Sequence, residues 1–135
     1  SAGNSNKTLQ TRTVTVDTEK IASLLETARA RGRFVNSIAV NKENVSFIFE
    51  NYYEIIKELL IALMLKNGLR SQNHQCLITF FAKEFNYDAE IIVIQQMNYL
   101  RNRLECYGEL IDFDYYQGNK QKFKEIVKLL FNLTK

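Results

Sequence analysis

The residues of this chain whose types and spacing suit chemistry collect in one stretch, Asn98-Tyr99-Leu100-Arg101-Asn102-Arg103-Leu104-Glu105-Cys106-Tyr107-Gly108. At helical spacing Asn98, Arg101, Asn102 and Glu105 share a face with Ile91 and Ile94, apolar early and polar late. A guanidinium such as Arg101 grips phosphate through two parallel hydrogen bonds, and a tyrosine such as Tyr107 stacks on a base or hydrogen-bonds to it. The same residues also admit a purely structural reading. In it Arg101 and Glu105 form an i, i+4 ion pair, Asn102 caps a fraying helix end and Tyr107 is buried.

Other site classes fall away. The chain has no Gly-rich phosphate loop, no HExxH, no CxxC and no G-x-S-x-G. Its single histidine, His74, stands at a helix start, where a core or capping role is expected rather than that of a base. Glu50, Glu54 and Glu58 repeat every four residues and are expected to pair with basic side chains of a neighbouring helix rather than to hold a cation. Cys76 and Cys106 have neither disulfide-framework nor metal-ligand spacing, so a reducing, cytoplasmic setting is expected, with no metal and no cofactor. Lys120, Lys124 and Lys128 form an i, i+4 row that is expected to assist Arg101, Asn102 and Tyr107 in holding an anionic ligand.

The element that must position these groups is the stretch from Asn44 to Gly68. Val45, Ile48, Phe49, Tyr52, Ile56, Leu59, Leu60 and Leu63 form one stripe at 100° per residue, which Tyr53, Ile55, Ala62 and Met64 widen. Glu50, Glu54, Lys57 and Glu58 fill a narrow opposite face. So wide an apolar arc needs contacts from several sides, which makes this the central helix of a bundle, stopped at Gly68.

The remaining elements follow in order. Residues 1 to 17 read as a flexible or extended tail, and 18 to 135 as a single helical-bundle domain. Asp17 or Thr18 caps a first helix that buries Ile21, Leu24, Leu25 and Ala28, with Gly32 ending it. Phe34 to Val40 is a connector, and Asn41 caps the central helix. Ser71 or Asn73 opens a third helix with His74, Leu77, Ile78, Phe81 and Phe85 inward. A fourth, from about Ala89, places Val93, Met97, Leu100, Leu104 and Tyr107 in the core. Its other face, with Ile91, Ile94 and the Asn98/Asn102 edge, is left for a symmetric dimer contact. Gly108 ends it, and Glu109 to Gln117 is an acidic, aromatic loop. The last helix, about Lys120 to Leu133, buries Phe123, Ile126, Val127, Leu130 and Phe131. The expected fold is all-α, an up-down bundle of about five helices.

Composition agrees with that architecture. Proline is absent from the 135 residues and there are only five glycines, so long helices run unbroken. An apolar content of 46% is enough for one core at this length. No apolar run reaches the roughly 18 residues a membrane span needs. Lys and Arg outnumber Asp and Glu by seven to three in residues 1–42 and by five to one in 117–135, whereas 43–116 carry six against eleven. The basic ends permit contact with nucleic acid without requiring it.

The Arg101-Asn102 pair late in the penultimate long helix, with Asn51 to Leu60, Asn67-Gly68 and Asn73-His74 before it, resembles the HEPN domains. The resemblance spans about residues 45 to 130. It implies a homodimer or a partner-bound bundle. In many HEPN proteins an Arg and a His line a cleft at the dimer interface and cleave RNA without metal; others are inactive or accompany a minimal nucleotidyltransferase, as in toxin–antitoxin pairs. Arg101 matches the motif arginine and Asn102 its polar neighbour. The motif histidine has no counterpart, since Cys106, Tyr107 and Gly108 stand where it is expected.

That difference matters because transfer of a 2′-hydroxyl proton needs a group titrating near the working pH, which a phenol with a pKa near 10 is not. Three functions are therefore expected in turn. The first is a module that binds nucleotide or RNA at a dimer-interface cleft, working with a partner such as a nucleotidyltransferase. The second is a metal-independent endoribonuclease with its histidine replaced, and the third a protein-binding helical adaptor.

Overall fold

A computed structural model describes residues 12–135. The tail expected over residues 1 to 17 thus lies mostly outside the described residues. Within its described part, residues 12–17, Arg12–Thr13 form a two-residue strand, β1, that pairs antiparallel with β2, Leu69–Arg70. Five helices make up the rest: α1 Thr18–Asn36, α2 Val45–Lys66, α3 His74–Glu84, α4 Asp88–Tyr107 and α5 Phe113–Thr134. The fold is an all-α bundle, as the periodicity requires.

Helix α2 is the hub. It packs most extensively against α1 and α5 and also touches α3, α4 and β2. Phe49, Ile56 and Leu59 are fully enclosed, and Tyr53, Ile55, Ala62 and Met64 are buried with them. Its Phe49 and Tyr52 rings meet Phe123 of α5 at centroid separations of 5.9 Å each, with Tyr115 and Tyr116 completing an aromatic cluster. Asn67 and Gly68 end the helix, with Gly68 in the left-handed region at φ 74°. The Gly68 carbonyl then accepts from Val14 N, which carries the chain into the β1–β2 ribbon.

Three boundaries and one helix rotation differ from the sequence reading. Gly32 does not end α1, which continues to Asn36 because Val35, two turns beyond Ala28, has a core position to fill. Ser37 closes it instead, its Oγ donating to the Phe34 carbonyl at 2.7 Å. Asn41 is not the cap of α2. Asn44 stands there, and the two asparagines fold the preceding turn, Asn41 N donating to Asn44 Oδ1 at 2.8 Å and Asn44 N to Asn41 Oδ1 at 2.9 Å. The acidic, aromatic segment after Gly108 is mostly helix. Asp112 accepts from Tyr115 N at 2.9 Å and starts α5 at Phe113, so Tyr116 joins Phe123, Ile126 and Leu130 on one buried stripe.

The fourth correction concerns the rotation of α4. Ile91 and Ile94 are buried in the chain's own core, Ile94 with 1% of its surface exposed, and Met97 continues their line. Val93, Leu100 and Leu104 pack only partly, and Tyr107, placed in the core by its spacing, is 74% exposed. A contact between copies through Ile91 and Ile94 is thereby ruled out. The outward apolar residues of α4 are Ile92, Tyr99 and Tyr107.

The acidic ladder of α2 pairs with basic side chains on two neighbouring helices. Glu58 is buried against Arg31 of α1, which also donates to Asn51 Oδ1 at 3.4 Å. Burial pushes the Glu58 carboxyl up, opposed by the Arg31 guanidinium. One turn away, Glu54 faces Arg101 of α4.

Candidate functional site

Arg101 sits at the crossing of α4 over α2, with only 18% of its side chain exposed. Its guanidinium bonds Glu105 Oε1 at 2.9 Å, lies 3.8 Å from Glu54 Oε1 and stands 5.8 Å over the Tyr53 ring. Glu50 closes the group: burial and the Glu105 carboxylate raise its pKa while Arg101 lowers it. The ion pair of the structural reading is therefore present, but the buried tyrosine is not Tyr107. It is Tyr53, from the central helix.

Tyr53 brings in a residue that spacing left out of the site. Asn73 caps α3, its side chain accepting from Cys76 N at 2.9 Å, and so fixes the first turn that carries His74. The His74 ring stacks on Tyr53, with centroids 5.3 Å apart, and its Nδ1 lies 2.8 Å from the Tyr53 hydroxyl. That hydroxyl donates to Asn98 Oδ1 at 3.0 Å. A phenol has one proton to give. In the tautomer with Nδ1 protonated the ring donates to the phenol oxygen, and His74 also hydrogen-bonds to Asn98. Burial pushes the imidazole pKa below its ordinary value, and Lys57 and Arg101 lower it further, so the ring is neutral at pH 7. Burial also keeps the Tyr53 phenol protonated by raising its pKa well above the ordinary value.

The absence of an imidazole from the Arg101 neighbourhood, expected from positions 106 to 108, is thus corrected: His74 supplies one from a different helix. The motif-like spacing within one helix could not reveal this. The available signal was the adjacency of Tyr52 and Tyr53, one on each side of α2, together with the Asn73 cap that begins α3 at the only histidine.

Asn98 also belongs to a shallow groove of about 770 Å³ on the outer side of α4. Its amides are Gln75, Gln95, Asn98 and Asn102, and Tyr99, Arg103, Cys106 and Tyr107 complete it. Arg103 lies between the two exposed tyrosines, 5.7 Å from the Tyr99 ring centroid and 5.2 Å from that of Tyr107, and its Nε donates to Glu109 Oε2 at 2.5 Å. A row of donors and acceptors beside two accessible aromatic faces and one cation can hydrogen-bond, stack and neutralise an anion at once.

Of the anticipated binding residues, Asn98, Asn102 and Tyr107 line this groove, and Arg101 and Glu105 lie in the adjoining cluster. Lys120, Lys124 and Lys128 do not join them. They line two other openings, between α1 and α5, whose walls contain neither Arg101 nor Tyr107. Among the described residues no group of three or more His, Cys, Asp or Glu side chains is placed to hold a metal ion, and no helix is long and apolar enough to cross a membrane. No family model matches the chain, and no curated protein or solved structure is detectably similar to it.

Proposed function

We propose that the chain is a HEPN-like module that binds nucleotide or single-stranded RNA along the outer groove of α4, working with a partner protein such as a nucleotidyltransferase. The observation that carries the reading is the combination of four amides, two exposed tyrosines and Arg103 in one groove. Unpaired bases are held by stacking on aromatic faces and by hydrogen bonds to their edges, and a guanidinium takes the phosphate. Arg101 supports the groove through Asn98 and the Tyr53 ring rather than from its wall. Fluorescence anisotropy with a labelled single-stranded RNA at low salt tests the reading. Binding that weakens steeply with salt is expected, and no binding at low salt removes it.

The resemblance also implies a homodimer. With Ile91 and Ile94 spent in the core, the contact is placed instead on the outward face of α4 around Ile92, which leaves Tyr99 to the groove. Sedimentation velocity at micromolar concentration should show a dimer that Ile92→Glu converts to monomer; a wild-type monomer at that concentration contradicts it.

One observation favours a second reading, metal-independent RNA cleavage. His74 and Arg101 meet on the same Tyr53 ring, and a neutral imidazole is the form that accepts a 2′-hydroxyl proton. Because its pKa lies below the usual 6.5, a rate governed by His74 as base would rise through the acidic range and be level by neutral pH. Chelator-resistant turnover lost in His74→Gln supports cleavage; turnover that is absent, or unchanged in His74→Gln, contradicts it.

A further inference from the structure

On the opposite side of the hub from His74, two tyrosines are built into the core with their polar ends unmatched. Tyr52 of α2 and Tyr116 of α5 are 4% and 3% exposed, their rings 6.4 Å apart and both packed on Phe123. Neither hydroxyl hydrogen-bonds to another described residue. Glu58 Oε2 alone is both buried and unpartnered among the described residues, so the two phenol oxygens reach solvent in the opening they line.

That opening is a cavity of about 230 Å³ between α1 and α5. Besides the tyrosines its polar groups are Asn36, Gln117, Lys120 and Lys124. It contains no carboxylate. The single acidic residue of 117–135, Glu125, lines a different cavity with Lys122. Burial raises the Tyr52 pKa to about 12, with Tyr116 adding to it, and burial raises that of Tyr116 as well. Both phenols therefore stay protonated and able to donate at neutral pH. Two lysines, two phenols and two carboxamides line the cavity without a competing negative charge, a set of donors suited to a compact, multiply charged oxyanion.

The cavity does not end there. Asn36, Tyr52 and Lys124 are shared with a wider groove of about 860 Å³, which adds Arg29 and Lys128 at its sides and Val127 and Phe131 as apolar surface. Arg29 lies 5.4 Å over the Phe131 ring. An anionic head in the small cavity would thus lead into a groove with apolar surface for an organic remainder.

We propose that this cavity is a second binding site, for a phosphomonoester whose phosphate is held by Lys120, Lys124, Tyr52 and Tyr116 and whose organic part lies in the adjoining groove. The site is independent of RNA binding on α4 and stands if that reading fails.

The test is calorimetric titration of the whole chain with phenyl phosphate at pH 7.5, with inorganic phosphate and phenol as companions. Phenyl phosphate should bind more tightly than inorganic phosphate, and phenol should not bind. The Lys120→Ala/Lys124→Ala pair should weaken binding by about tenfold or more, as expected for two charged donors. Tyr52→Phe and Tyr116→Phe, which keep the rings that fill the core, should each weaken it by about fivefold. Binding should persist in Arg103→Ala and in the presence of saturating single-stranded RNA. The proposal is overturned if phenyl phosphate gives no heat up to about 10 mM, a level at which even millimolar affinity is visible. It is equally overturned if phenol binds as well, if the lysine and tyrosine variants bind like wild type, or if RNA displaces the ligand.

Discussion

Leu59→Ala is expected to cost about 2–5 kcal/mol of folding stability, and Ile56→Ala a similar amount. Both side chains have no exposed surface and stand in the middle of the helix that α1, α3, α4 and α5 all touch. Truncation removes apolar contact and leaves a cavity that four surrounding helices can only partly close. Against a total of roughly 5–15 kcal/mol for a natural domain, this is a large fraction. Glu54→Ala provides the contrast. Its carboxylate is about one-third exposed and 3.8 Å from Arg101, so its loss should stay below about 1 kcal/mol. Urea unfolding of the three variants checks this, and equal losses would contradict the hub role assigned to α2.

The largest binding effects are expected in the α4 groove. Tyr99→Ala and Tyr107→Ala should each lose roughly 1–3 kcal/mol of affinity for single-stranded RNA, the value of one base–aromatic stack. Both rings are exposed, Tyr107 the more so, and neither fills the core, so the fold should survive the change. Arg103→Ala should weaken binding and lower the slope of log K against log salt by about 0.7, the single-strand value for one phosphate contact. Arg101→Ala should also weaken binding, but by another route: this guanidinium is engaged by Glu105 and Glu54 and holds the Tyr53 ring that orients Asn98. Its removal should reduce affinity while leaving the salt slope close to that of wild type. Anisotropy titrations at two salt concentrations separate the two arginines. Indistinguishable titrations for wild type and Tyr107→Ala would contradict stacking in the groove.

How far the sequence carried these conclusions depends on the kind of signal. The apolar stripe of α2 is so wide that its helix, its hub position and its stop at Gly68 were all legible, as was the all-α class. Helix ends were less so. Gly32 looked like a stop, yet an added Cβ there would meet nothing within 4 Å and the residue simply sits inside α1. Tyr115 and Tyr116 looked like loop residues because Asp112 and Asp114 precede them and Gly118 follows, although Tyr116 to Phe123 is a seven-residue helical repeat. In α4 two apolar stripes competed, and periodicity alone could not rank Ile91-Ile94-Met97 above Val93-Leu100-Leu104. That choice is made by the partners, since helices α2, α3 and α5 each press on α4.

The site was legible to a similar degree. Asn98, Asn102 and Tyr107 could be grouped because they lie on one helix, and the Arg101–Glu105 pair follows from i, i+4 spacing. His74 and Tyr53 reach the cluster from two other helices, 24 and 45 residues from Asn98, and contacts at such separations leave no periodic trace. The lysine row was correctly placed on one helical face, but nothing in its spacing says which groove that face borders.

The α4 groove is the centre of the proposed function, and its most direct measurement is titration of single-stranded RNA into the ¹⁵N-labelled chain, followed residue by residue through amide chemical shifts. The expected result is perturbation centred on Gln95, Asn98, Tyr99, Asn102 and Arg103, with the side-chain amides of Gln75 and Asn102 among the resonances that move. Shifts confined to Lys120, Lys124 and Lys128, or no shifts at low salt, would contradict it.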